Sequence, residues 1–471
     1  MTYPNLLVLD YMQTSGQGNP EAQMKAESYV GTGYQRLLTF EAPGGGFSLM
    51  GNPPARVFLS AFGLMQLADM AKVYPVDEAV IERTALWLLA RQSVDGTWQA
   101  GDYRAGEGAL GATSYVAWAL IQAGYGDTPE VGRAIAYIRE AAPEAQSTYD
   151  LALAANALAA YAPGHMMTRA VLDQLYGMRI VDGDMVYWSI GESASYMGAT
   201  GQSGSTETTA LASIAFLQAA VYADAVDGAL GYLVQAKDSW GTWSTTQSTI
   251  LSLKALLLAA GTTPRVSEPA VLRVSLNGEQ TQEIAIGENN ADVVHVLAFA
   301  GGFSTTGENV VDIALQGGGN LMYQVATRYY LPWDQVPAVP AADEWITIDL
   351  RYDRTALAVN DTVTMDVTAT LNRAGIVKLG IIDLGVPPGF SVQEEDLRLL
   401  VEEGLISRYE LTGRQIIVYL EDLRYGAPLQ FSYRLRARFP LRAKTPPSTA
   451  YDYYNPAYTA VRAPVEVKVE P

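Results

Sequence analysis

The chain has 471 residues, 49% of them hydrophobic, and 50 acidic against 31 basic side chains give it a net charge of −19. A surface this acidic excludes nucleic acid and anionic membrane as expected partners. The absence of cysteine and the presence of only two histidines, His165 and His295, exclude structural disulfides, thiolate zinc sites and histidine-rich metal clusters within this chain, so no metal or cofactor is expected.

The length predicts roughly two to four domains. Met1-Thr2-Tyr3-Pro4 runs into an apolar segment without a basic leader. No run is long and apolar enough to predict a membrane span. Residues 1–262 are rich in Ala and Leu, and apolar spacing predicts helices over 55–70, 79–91, 113–123, 149–161, 207–221 and 245–260. Many of these segments are apolar almost all round, which implies burial on more than one side.

A repeat runs through this region. Gly45-Gly46-Phe47-Ser48, Gly96-Thr97-Trp98-Gln99 and Gly241-Thr242-Trp243-Ser244 each precede a helix rich in small residues. Ser147-Thr148-Tyr149 and Val186-Tyr187-Trp188-Ser189 are weaker copies. The aromatic positions 47, 98, 149, 188 and 243 are 51, 51, 39 and 55 residues apart. A period near 50 that holds two helices predicts stacked helical hairpins, none able to bury its apolar face alone. Such hairpins form either an open solenoid or a closed α/α toroid. The irregular spacing and the Gly-x-aromatic turns favour closure.

After Thr262-Thr263-Pro264 the period changes to two. Val271 to Leu276 alternates and is followed by Asn277-Gly278, a strong hairpin signal. Further strands are expected over 292–299, 309–315 and 321–330, then a linker rich in Pro and Ala over 332–344. From Trp345, alternation predicts strands over 345–352, 362–371, 376–384, 415–420, 429–439 and 464–469. One helix interrupts them between Gln393 and Glu403, with Leu397, Leu400 and Val401 on one face. A β-sandwich with one helix fits this pattern.

Local sequence then resembles one family throughout. The stretch 22–40, with Thr32-Gly33-Tyr34-Gln35-Arg36, is similar to the segment that follows the thioester in alpha-2-macroglobulin and complement-type thioester domains, and so is the stretch 4–11. Ser60-Ala61-Phe62, the stretch 87–98, Glu207-Thr208-Thr209-Ala210 and the Ser-Thr-Gln-x-Thr helix start over 244–249 resemble its later landmarks. Ile406 to Leu411 and Ala450 to Tyr454 resemble landmarks of its receptor-binding domain. The resemblance implies a multidomain chain: an α/α toroid over 1–262, the C-terminal half of a CUB-type β module over 265–334, and a receptor-binding-like β-sandwich over 343–471. It also implies that the reactive Cys and Gln of the thioester lie upstream of Met1, so this chain holds no catalytic residue and is not an enzyme. Target proteases and the upstream macroglobulin domains of the same protein are the implied partners, in an extracellular setting, or a periplasmic or cell-surface one in a bacterium.

Two departures from the family refine this. Complement-like members carry a histidine after the turn that corresponds to Asp95-Gly96-Thr97-Trp98, whereas Gly106, next to Glu107, stands there in this sequence. An imidazole would attack the thioester and pass the acyl group to hydroxyls; without it, direct capture by amines is implied. Animal members also present two lysines to an endocytic receptor, at positions matched by Glu394 and Arg398 among further acids, and an acidic face cannot replace that basic pair. Together with the missing cysteines, this points to a bacterial-type member. Two other classes stand beside this one. A toroid enzyme of the glycosidase kind needs only two suitably spaced carboxylates, and an adhesive or structural module would follow if the thioester cysteine were missing.

Overall fold

The computed structural model describes residues 2–15, 20–48, 51–99, 109–191, 193–238, 242–262, 269–287, 290, 295–317, 323–335 and 344–471. It divides into two compact units, one of residues 1–196 with 204–326, the other of residues 197–203 with 327–471. Among the described residues no helix is long and apolar enough to cross a membrane.

The helical region comprises α1 (Thr2–Ser15), α2 (Pro20–Leu38), α3 (Val57–Met70), α4 (Glu78–Leu89), α5 (Leu110–Gln122), α6 (Pro129–Ala141), α7 (Thr148–Tyr161), α8 (Met166–Gly177), the short strands β1 (Ile180–Asp182) and β2 (Met185–Tyr187), α9 (Gly201–Ala219), α10 (Ala223–Gln235) and α11 (Thr246–Thr262). Odd-numbered helices form an inner ring. α1 packs on α3 and α11, α3 on α5, and α5 on α7. Asn156 of α7 donates to the Leu211 carbonyl of α9 at 2.8 Å, and Thr245 ahead of α11 donates to Glu207 of α9 at 3.1 Å. The ring is therefore closed, an α/α toroid.

Burial separates the two layers. Every residue of α5 from Leu110 to Leu120 is buried, and so is every residue of α7 from Leu151 to Ala159. The outer α6 buries only Val131, Ala134, Ile135 and Ile138, a single stripe at helical spacing. The apolar pattern assigns the inner α3, α5, α7, α9 and α11 together with α4, and leaves α1, α2, α6, α8 and α10 unassigned; in α6 a narrow stripe interrupted by charges is a weaker signal. Local starts were nonetheless written: Thr128 accepts from the Val131 amide ahead of Pro129, a hydroxyl cap followed by proline at the first helical position.

The repeated aromatics share one construction. The indole N–H groups of Trp98, Trp188 and Trp243 donate to the carbonyls of Leu88, Leu175 and Leu233 at 2.8, 2.7 and 2.8 Å, each near the end of the preceding outer helix. The backbone N–H groups of Phe47, Trp98, Trp188 and Trp243 donate to the hydroxyls of Ser60, Thr113, Thr209 and Thr249 in the following inner helix. Each tryptophan thus joins an outer helix to the next inner one, and Phe47 makes the inner-helix bond alone. Tyr149 does not belong to this set: it is the second residue of α7, behind the Ser147 cap, since that connection is too short to hold a separate turn.

Beyond the helices, β3 (Ala270–Leu276), β4 (Gln280–Ile286) and β5 (Val311–Gln316) form an antiparallel sheet in the order β4-β3-β5. Asn277 and Gly278, at φ 52° and 70°, make the expected hairpin turn. The strands expected over 292–299 and 321–330 are not found: residues 295–299 and 323–330 carry no strand, and 291–294 and 318–322 lie outside the described residues. Alternation is present there, but a strand also needs an edge to pair with, and Val296 and Tyr323 are 83% and 62% exposed.

The second unit contains β6 (Ile346–Tyr352), β7 (Ala356–Ala358), β8 (Thr362–Leu371), β9 (Ile376–Gly385), β10 (Phe390–Val392), α12 (Glu394–Glu402), β11 (Arg408–Leu411), β12 (Gln415–Arg424), β13 (Leu429–Ala437), β14 (Leu441–Lys444), β15 (Ser448–Asp452), β16 (Asn455–Arg462) and β17 (Glu466–Glu470). Sheets of order β10-β13-β8-β6 and β11-β12-β9-β15-β16 face each other, and a third joins β14, β17 and β7. Ile348, Met365 and Tyr433 of one sheet and Ile382, Val418 and Leu420 of the other share a core, which Leu397 and Leu400 of α12 enter. This is the expected sandwich with one helix.

Candidate functional site

A cavity of about 310 Å³ opens at the head of α1. Thr2, Tyr3 and Pro4 form one side, Phe40, Phe47 and Phe62 supply an aromatic lining, and Thr246 and Ile250 of α11 complete the wall. A site of this size, mostly apolar with a few polar groups, suits a small group held away from water. Arg36, Ser48 and Gln66 add polar groups to the lining, beside the hydroxyl-bearing Thr2, Tyr3 and Thr246. Ser48 is buried and its Oγ has no hydrogen-bond partner among the described residues.

Local sequence explains this packing. A Cβ on Gly33 would lie 1.9 Å from Thr2 Oγ1, so only glycine lets α2 approach the head of α1 so closely. Tyr34 follows, with its hydroxyl accepting from the Asp77 amide at 3.0 Å, and Arg36 comes next at the cavity. The Thr-Gly-Tyr-Gln-Arg run is thus a close contact, an anchor and a cavity residue in succession.

Behind the cavity, a buried ionic lock ties the first helix of the ring to the last. Tyr3 donates to Asp69 Oδ2 at 2.6 Å, Lys254 reaches the same oxygen at 2.6 Å, and Lys72 pairs with Oδ1 at 2.9 Å. Burial alone would raise the pKa of Asp69, but Lys254 and Lys72 outweigh it and hold it at about 2. A second buried carboxyl, Glu207, is fully enclosed and hydrogen-bonds the hydroxyls of Ser195, Thr245 and Ser248; burial raises it to about 7.

The residues singled out from sequence fall elsewhere. Gly106 and Glu107 lie outside the described residues. Glu394 and Arg398 lie on α12 of the second unit, four residues apart, yet they do not pair. Arg398 bonds Glu395 and Glu402, while Glu394 accepts from the Tyr409 hydroxyl at 3.1 Å. Among the described residues no group of acidic, histidine or cysteine side chains could hold a metal ion. Ser48, Gln66, Asp69 and Lys254 escaped sequence reasoning, although a signal existed: Asp69, Glu207 and Lys254 are the only charged residues of α3, α9 and α11. A lone charge on a helix buried all round requires a partner.

Comparison with known proteins agrees with this architecture. Residues 1–258 match the A-macroglobulin TED domain of complement type, and residues 377–463 match the A-macroglobulin receptor-binding domain. Ovostatin of Gallus gallus is 22% identical over 97% of this chain and 32% of its own length. Thioester-containing protein 1 of Anopheles gambiae, allele S3, is 28% identical over 54% of this chain and 19% of its own length. The chain therefore spans a third or less of the curated relatives it matches. Native alpha-2-macroglobulin from Escherichia coli, spanning domain MG7 to the C-terminus, superposes with a TM-score of 0.65 at 16% identity, covering all of this chain and 72% of that one. Salmonella alpha-2-macroglobulin reacted with methylamine gives 0.64 at 16% identity, covering all of this chain and 30% of that one. The chain belongs to the alpha-2-macroglobulin family and carries its C-terminal part, a thioester-domain toroid followed by β-domains.

Proposed function

We propose that this chain is the C-terminal part of a macroglobulin-like, broad-spectrum endopeptidase inhibitor, in which the cavity at the head of α1 shelters a thioester whose Cys and Gln lie upstream of Met1. The observation that supports this reading is the placement of Thr2, Tyr3 and Pro4 in the cavity wall: a segment joined ahead of them would enter where an apolar aromatic lining can keep water from a reactive acyl group. A thioester joins a Gln-derived acyl carbon to a cysteine sulfur. An amine that attacks the carbon forms an amide, and the sulfur leaves as a thiolate, so a lysine of a target protease becomes covalently attached. The lack of histidine between Trp98 and His165 supports direct capture by amines over relay to hydroxyls.

Residues 265–334 are read as the C-terminal half of a CUB-type module and residues 343–471 as the receptor-binding domain. The acids flanking Arg398 support a bacterial-type protein, periplasmic or on the cell surface, without an animal endocytic receptor as partner. The test uses the full-length protein. Methylamine should release one thiol per chain, and a cleaving protease should become attached in a form that survives denaturation, with amines preferred over glycerol-type hydroxyls. A full-length protein that releases no thiol would favour an adhesive role instead, and preference for hydroxyls would overturn direct amine capture.

A further inference from the structure

Glu207 takes no part in the chemistry above, yet it bonds Thr245 and Ser248, the chain neighbours of residues that build one wall of the cavity. Thr245 caps α11: its Oγ1 accepts from the Ser248 backbone N–H at 3.0 Å, and the same hydroxyl donates to Glu207 Oε1 at 3.1 Å. Ser248 Oγ lies 2.7 Å from Thr245 Oγ1 and 3.5 Å from Glu207 Oε1. Thr246, the next residue, and Ile250, one turn further on, both line the cavity. The other carboxyl oxygen, Oε2, is buried with no hydrogen-bond partner among the described residues.

We infer that Glu207 is a positioning residue for the capture site: through Thr245 and Ser248 it holds the first turn of α11, which carries Thr246 and Ile250 into the cavity wall. The link to capture rests on the function proposed above; the hold on α11 does not. The hydrogen-bond chain has two directions. When Glu207 is ionised, the Thr245 hydroxyl donates to it and offers a lone pair to the Ser248 amide. When Glu207 is protonated on Oε1, it donates to Thr245, whose own proton turns to Ser248 Oγ. The cap is kept in both states, but with different hydrogen-bond strength, because a bond to a charged acceptor is the stronger.

Both states are populated near neutral pH, since burial raises Glu207 to about 7 against the opposing hydroxyls of Ser195, Thr245 and Ser248. The other titratable groups facing it are Tyr115 of α5 and Tyr149 of α7, with Tyr196 beside Tyr149. Burial pushes Tyr115 and Tyr149 above the usual phenol range, so these two stay neutral while Glu207 titrates.

Backbone amide exchange at Ser248 and Thr249, corrected for intrinsic rates and followed from about pH 6 to about pH 8 across the Glu207 transition, tests this on the present chain. Protection of this turn should change severalfold with pH while that of α6 stays constant. Glu207→Gln should abolish the change, Thr245→Val should lower protection roughly fivefold at both ends, as expected for a lost cap, and Thr245→Ser should restore it. Identical profiles for the wild type and Glu207→Gln, or a change shared equally by all helices, would overturn the inference. In the full-length protein, the rate of thiol release by methylamine should lose the same pH component in Glu207→Gln; an unaltered profile would remove the link to the capture site. If wild-type protein releases no thiol, the capture reading fails, and the exchange result still decides the hold on α11.

Discussion

Asp69 and Glu207 are both buried carboxyls, and their surroundings send them in opposite directions. Asp69 is held at about 2, below its ordinary 3.8, by Lys254 and Lys72. Its stabilising contribution is therefore present above pH 3.8 and lost as pH falls toward 2, and amounts to about 2 kcal/mol. Glu207 is raised from 4.5 to about 7, so the folded state binds the extra proton. Its contribution is fully present below pH 4.5, is lost as pH rises through 7, and is about 3 kcal/mol in size. The toroid should thus be most stable near pH 4 to 5, as measured by urea unfolding at a series of pH values. Glu207→Gln should flatten the fall between pH 4.5 and 7, and Asp69→Asn should flatten the rise below pH 4 and cost about 3 kcal/mol at neutral pH by stranding Lys254. A profile unchanged by both substitutions would contradict this assignment.

Among the elements, the joint between outer and inner helices carries the most weight. The Trp98 and Trp188 backbone N–H groups each have their acceptor in one threonine hydroxyl, at 3.0 Å in both cases. Replacing Thr113 or Thr209 by valine keeps the shape and leaves a buried N–H unpaired, which costs roughly 1 to 3 kcal/mol. The exposed Thr32 serves as the control, where the same replacement should shift stability by less than about 0.5 kcal/mol. Equal urea midpoints for Thr113→Val and Thr32→Val would show that the joint does not depend on this bond. α12 illustrates the other extreme. Its Arg398 pairs are solvent-exposed and contribute little, whereas Asp396 grips Arg434 through both carboxyl oxygens at 2.7 and 2.9 Å and anchors the helix to β13.

At the scale of the whole molecule, the parts differ in how completely they bury their backbone. The toroid has no free end, because α1 packs on α11 and the Tyr3–Asp69–Lys254 lock joins the first, third and last helices. The β4-β3-β5 sheet has two edges without a further partner among the described residues and a core of only Ala270, Leu272, Val274 and Ile286 with flanking apolar groups. Unpaired edges and small cores open at low free-energy cost. Amides of β4 and β5 should therefore exchange faster than those of α5 and α7. Equal protection would mean that the sheet is a finished module, and would argue against reading 265–334 as half of a larger one.

The amino-acid sequence by itself determined the succession of a helical region, a small β module and a sandwich, because apolar period is a local property that switches from helical to alternating after Pro264. It also marked the hairpin at Asn277-Gly278, the helix over Glu394–Glu402 and the aromatic repeat, whose glycines and prolines act within a few residues. It favoured closure of the hairpins without showing which residues lock the ring, and it left open which of the expected strands find an edge and what the lone charges meet. Those depend on residues such as Tyr3, Asp69 and Lys254, which are distant in the chain and adjacent only once six inner helices surround one axis. Closure also brings the head of α1 against α11 and so forms the cavity. The site is therefore a property of the ring, and no single segment of the chain contains it.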